Sequence, residues 1–135
     1  TIGHQGLTGK KLLAVIHSGY PEPQQRRPAL EMCRCFADDM GMEWCGGLSF
    51  GGTSPIDGRP LGEAGPFGKR IRPVLERTAK KIADGELSGT DNLVLEDIST
   101  MPVPTWMVKP LMNFMTRRNA GKDKQDLLAK PYRAK

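Results

Sequence analysis

Apolar residues fall into blocks whose spacing changes along the chain. In residues 11–17, KLLAVIH, they run continuously rather than alternating, which predicts a strand buried on both faces. Residues 1–10 before it are polar and read as a leading loop. After Pro28, which suits a first helical turn, Leu30, Cys33, Phe36, Ala37 and Met40 recur at helical spacing. Gly41 supplies a left-handed cap. Residues 43–50, EWCGGLSF, predict a second strand, weakened by Gly46 and Gly47. Strand, helix, strand predicts a right-handed crossover and parallel strands. Residues 51–68 form a long Gly/Pro loop, of the kind that is often functional. A helix follows over 70–84, with Ile71, Val74, Leu75, Thr78, Ala79 and Ile82 inward. Pro73 is tolerable only near its first turn, and Gly85 ends it.

Beyond this helix the pattern blurs. NLVLEDI, from Asn92, fits a strand or a short helix. MPVPTWMVKPLMNFM is broken by Pro102, Pro104 and Pro110, which predicts an extended arm and then a short helix around 108–118. Its Trp106, Met107, Leu111, Met112, Phe114 and Met115 pack either on the chain's own core or on a partner subunit. The expectation is one domain over 1–135: a leading loop at 1–10, a strand-helix-strand-helix core at 11–100, and an arm and basic tail at 101–135. The fold class is α/β with a parallel sheet. Parallel strands need helices on both faces and several neighbours. Two confident strands fall short of that, so the missing strands come from outside this segment or from a second copy.

Composition narrows the class. A chain of 135 residues has room for a core. No apolar run reaches the roughly 20 residues needed to span a bilayer, so no membrane partner is expected. Three cysteines, Cys33, Cys35 and Cys45, make neither a disulfide framework nor a CxxC pair. They read as reduced thiols, and the expected compartment is the cytoplasm. The net charge of +5 is uneven: residues 1–116 are balanced, and residues 117–135 carry 7 Lys/Arg against 2 Asp. A basic stretch with Tyr132 as its one aromatic is a poor base-stacking surface, so nucleic acid is not an expected partner.

Few chemical motifs survive inspection. GEAGPFGKR lacks the spacing of a phosphate-binding P-loop, with Glu63 where a glycine is needed and Arg70 where Ser or Thr is needed. His4 and His17 have no ligand-spaced partner, so no metal site is expected. Position remains as the guide. Ligands of open α/β sheets sit outside the carboxyl ends of strands. HSGYPEPQQ and GGTSPIDG leave such ends. Gly19 admits close backbone approach, Tyr20 offers a flat face and a hydroxyl, and Pro21 and Pro23 stiffen the turn. A planar heterocycle with carbonyls suits such a place.

The stretch from Lys10 to Glu86 resembles the C-terminal half of flavodoxin-like NAD(P)H-dependent oxidoreductases, relatives of bacterial NADPH-dependent FMN reductases. The marks are SGYPEP, FADDMGMEWCGG and the RPLGEAG loop before a helix ending in ADGE. MPVPTWM and LLAKPYR are similar to that family's tail. The resemblance implies a three-layer α/β/α flavodoxin-like fold of which this chain is the C-terminal part, with FMN as cofactor and NAD(P)H as reductant. It places the 17–20 loop along the isoalloxazine ring. His17, Ser18, Gly19, Tyr20 and Pro21, with Gly51 and Gly52 from the next strand end, are the implied cofactor-binding residues. Backbone N–H groups there would stabilise the reduced flavin, and no protein acid or base is needed. The family's phosphate loop has no counterpart in this sequence, which implies weak FMN binding. A homo-oligomer is expected. The competing reading is a non-catalytic oligomerisation or partner-binding module that uses the apolar arm 101–115.

Overall fold

The computed structural model describes residues 6–101 and 104–122. The chain divides at Met101 into two compact units, where the sequence placed the start of the arm. The first unit carries β1 (Lys11–Ser18), α1 (Arg27–Asp39), β2 (Glu43–Gly51), α2 (Gly65–Ala83) and β3 (Glu96–Ser99). Short 3-10 turns sit at Pro23–Gln25 and Ser54–Ile56. The second unit carries α3 (Thr105–Lys122).

The sheet is parallel, in the order β1-β2-β3. Side-chain alternation assigns its two faces. Leu12, Ala14, Ile16 and Trp44 pack with Leu30, Cys33 and Ala37 of α1. Leu48, Phe50 and Ile98 pack with Ile71, Val74 and Leu75 of α2. The helices therefore cover opposite faces, giving a three-layer α/β/α arrangement consistent with part of a flavodoxin-like fold. Both crossovers advance the sheet in the same direction while using opposite faces, so they are of opposite hand. That departs from the right-handed expectation for one of them. The second is a long return: after α2 the chain runs back along the β2 edge, with Thr90 and Leu95 donating to the carbonyls of Trp44 and Gly47.

The two glycines that were expected to weaken β2 have specific places in it. The β1–β2 register passes from Leu12↔Trp44 to Ala14↔Gly47, so β2 holds one extra residue. This is a bulge, and Gly46 takes φ +93° within it. Gly47 admits Leu30, because a Cβ there would overlap that side chain. The strand stays intact and is buried from Trp44 onward.

Several expectations need correction. β1 is not buried on both faces. It lies at a sheet edge, only Ala14 in it is buried, and Val15 is 51% exposed. An apolar run reports a preference for burial, but the neighbouring strand decides whether burial happens. In α1 the predicted stripe holds except at Phe36, which is 48% exposed. Helix α2 starts five residues before the expected 70, so Pro73 sits well inside it. Ala79 and Ile82 are exposed because the last turns of α2 reach beyond the core. NLVLEDI resolves to a strand only at its end, Glu96–Ser99. The helix expected at 108–118 begins at Thr105 and contains Pro110.

Among the described residues no helix is long and apolar enough to cross a membrane. The three thiols are free. Burial, reinforced by the nearby Glu43 carboxylate, pushes the Cys45 thiol up, so it stays protonated and unreactive.

Candidate functional site

A cleft of about 610 Å³ opens at the carboxyl ends of β1 and β2, on the α2 side of the sheet. Its floor is Val15 and Phe50 from the strands with Ile71 and Leu75 from α2. Ile56 and Leu61, from the loop after β2, close one side. Polar groups sit around this apolar body: His17, Ser18, Thr53, Ser54 and Asp57. The proportions are those of an ordinary small-molecule site, mostly apolar with a few convergent polar groups.

The rim is tied together by hydrogen bonds. The Thr53 hydroxyl donates to the Ser18 carbonyl at 3.0 Å, and the Thr53 amide donates to the same oxygen at 3.0 Å. His17 Nδ1 lies 3.1 Å from Thr53 Oγ1. Thr53 thus ties the His17 ring to the end of β1. The loop turns back at Asp57, whose φ of 49° is left-handed, followed by Gly58 at 71°. Arg59 fastens this turn by donating to the carbonyls of Pro55 and Ile56.

Behind the rim, on the α1 side, Arg26 holds the 18–26 turn in shape. Its side chain is 1% exposed and pairs with Asp97 at 2.7 Å. Its Nε donates to Ser49 Oγ at 2.7 Å, and that hydroxyl donates to Asp97 at 3.1 Å. Its Nη1 donates to Ser18 Oγ and to the carbonyls of Tyr20 and Glu22, all within 3.2 Å. One guanidinium thus joins the loop after β1 to β2 and β3. A planar fork with five N–H donors does this, and a lysine has too few donors in too loose a geometry.

The structure separates the sequence-predicted site residues into two groups. His17, Ser18 and Gly19 line the cleft. Tyr20, Pro21, Gly51 and Gly52 do not. The Tyr20 side chain points outward, leaving the residue 59% exposed, while its carbonyl accepts from Ser18 Oγ and from the Gly52 amide. Pro21 is buried. Gly51 makes room for Arg26, and Gly52, at φ +73°, makes room for Met101. These two glycines serve the loop's packing. Sequence reasoning passed over Thr53, Ser54 and Asp57, although the quoted GGTSPIDG contains all three. The Asp-Gly pair was a readable turn signal. Nothing in the sequence marked Arg26, because its partners come from three separate segments.

Among the described residues no group of His, Cys, Asp or Glu is placed to hold a metal ion. Comparison with protein-family models, curated proteins and solved structures gave no match.

Gly19 tests the cleft directly. A Cβ there would overlap Ser54 Oγ across the mouth. Gly19→Val is expected to block the entrance and to reduce binding of any planar ligand at least tenfold. Stability should fall by only about 1 kcal/mol, because Ser54 can rotate. Ligand titration beside urea denaturation of the same variant checks both halves.

Proposed function

We propose that this chain binds the isoalloxazine ring of FMN and belongs to a flavin-dependent NAD(P)H oxidoreductase. The observation that carries the reading is an apolar cleft of about 610 Å³ at the carboxyl ends of two parallel strands, with His17, Ser18 and Gly19 at its rim. Those are the residues that the family resemblance assigns to the flavin. Phe50, Val15, Ile56 and Leu61 offer apolar surface for a flat aromatic ring. Bound FMN would supply the hydride chemistry.

The chain's own residues bind and orient. Thr53 holds the His17 ring at the rim, where it can hydrogen-bond the polar edge of the flavin. The apolar walls exclude water, and the Gly19 backbone allows close approach. Among the described residues no Lys or Arg lines the cleft. The phosphate therefore adds little to affinity here, in line with the missing phosphate loop.

Titration of the full chain with FMN, followed by quenching of flavin fluorescence, tests this. A dissociation constant in the micromolar range is expected, and riboflavin should bind within about threefold of FMN. No quenching up to about 1 mM, only ~4 kcal/mol of binding free energy, overturns the reading.

A second reading has its own observation. Trp106, Met107, Leu111, Phe114 and Met115 of α3 are all exposed. Such a surface favours the docking module expected from the arm 101–115.

A further inference from the structure

A second cleft lies on the α1 side of the sheet and shares no lining residue with the first. Its volume is about 290 Å³, at the small end for a ligand site. Asp97 of β3 and Arg27 of α1 line it, together with Leu30 of α1 and with Leu93 and Val94 of the return segment. All of these residues belong to the first unit.

The fold uses only part of each charged group. Arg26 Nη2 and the Ser49 hydroxyl donate to Asp97 at 2.7 and 3.1 Å, and both bonds end on Oδ1. A carboxylate oxygen has two lone pairs, so Oδ2 is an acceptor that neither bond engages. The Asp97 side chain is 32% exposed, which leaves it within reach of a ligand. Arg27 donates to Glu31 through Nε at 2.9 Å, in an exposed i,i+4 pair. That pair leaves the two terminal nitrogens to face a carboxylate side by side. The apolar part of the lining is Leu30, which is buried, with the half-buried Leu93 and Val94.

The three features call for different parts of a ligand. Asp97 Oδ2 takes an N–H donor, most strongly an ammonium. Arg27 takes a carboxylate. The leucines and the valine take an aliphatic group. A simple anion would satisfy Arg27 but meet Asp97 as a like charge, and a simple amine would do the reverse. An amino acid carries all three parts on one small frame. We propose that this cleft binds a small aliphatic α-amino acid, with its ammonium on Asp97, its carboxylate on Arg27 and its side chain on Leu30, Leu93 and Val94. Both charged groups are partly in water, so the affinity is modest. This inference is independent of the flavin reading, because the two clefts lie on opposite faces of the sheet.

The test is titration of the labelled full chain with L-leucine, followed through backbone amide chemical shifts. The Leu93 and Val94 amides are expected to shift and to saturate with a dissociation constant of about 1 mM. Isocaproate, which lacks the ammonium, and isoamylamine, which lacks the carboxylate, should each bind at least tenfold more weakly. Arg27→Gln should weaken leucine about tenfold and leave isoamylamine unchanged. The Arg27 side chain is 71% exposed, so this variant keeps the fold. Asp97→Asn should abolish the leucine shifts, and because Asp97 also pairs with Arg26, Arg27→Gln separates lost binding from lost structure. No shift up to about 20 mM leucine, a level that even very weak binding would reveal, overturns the proposal. So does isocaproate or isoamylamine binding as well as leucine, or undiminished leucine binding by Arg27→Gln. Shifts confined to Gly19 and Ser54 would place the amino acid in the first cleft and overturn it as well.

Discussion

Arg26→Ala is expected to lower the unfolding free energy by about 3 kcal/mol, a large share of the stability of a small domain. The guanidinium is almost fully buried, and Asp97 is 32% exposed. Removing the arginine leaves Asp97 partly solvated, which tempers the loss. It also takes one donor each from the Ser18 hydroxyl and the Tyr20 and Glu22 carbonyls, although the Tyr20 carbonyl keeps the Ser18 hydroxyl and the Gly52 amide and the Glu22 carbonyl keeps the Gln25 amide. Arg26→Lys keeps the charge but cannot reach all five acceptors, and should lose about half as much. Urea denaturation followed through buried Trp44 reads both variants. A loss below about 1 kcal/mol for Arg26→Ala would mean that the turn after β1 keeps its shape without this residue. The same variant links stability to the cleft, because Arg26 holds the residues following His17. Any ligand bound at the rim should weaken in parallel with the loosened turn.

Phe50→Ala should cost a comparable amount, about 3 kcal/mol, near the lower end for a buried phenylalanine. Phe50 is 2% exposed and packs with Leu48, Ile71 and Val74, so truncation opens a void in the α2-side core. One wall of that void faces the cleft, and water or movement of α2 can fill part of it. Flavin affinity should fall at least tenfold, because Phe50 is also the cleft floor. Phe50→Leu restores most of the volume and should cost about 1 kcal/mol. Thermal denaturation and flavin titration of both variants distinguish a residue that serves core and cleft together from one that serves the core alone. If Phe50→Ala binds flavin with unchanged affinity, the ring does not rest on this floor.

Much of the architecture was legible because it is local. The Pro28 start and the Gly41 stop of α1 are backbone preferences that no distant residue changes, and Gly41 has the expected left-handed φ of 66°. The parallel pairing of β1 with β2 followed from a helix placed between two apolar runs. His17, Ser18 and Gly19, read as candidates from their place after a strand, line the cleft. Tyr20 was assigned by chemistry rather than direction. The turn after Ser18 sends its ring outward, and a sequence does not record the direction of a turn.

The sequence by itself determined the α/β class and the order of β1, α1, β2 and α2. Those features depend on apolar period, caps and turn residues, each set within a few positions. Only the tertiary structure decided that β1 is an edge and β2 the centre. Burial depends on what pairs with a strand, and apolar content alone does not say. The same holds for Arg26, whose partners Ser18, Ser49 and Asp97 are far apart in the chain and meet only when three strands align.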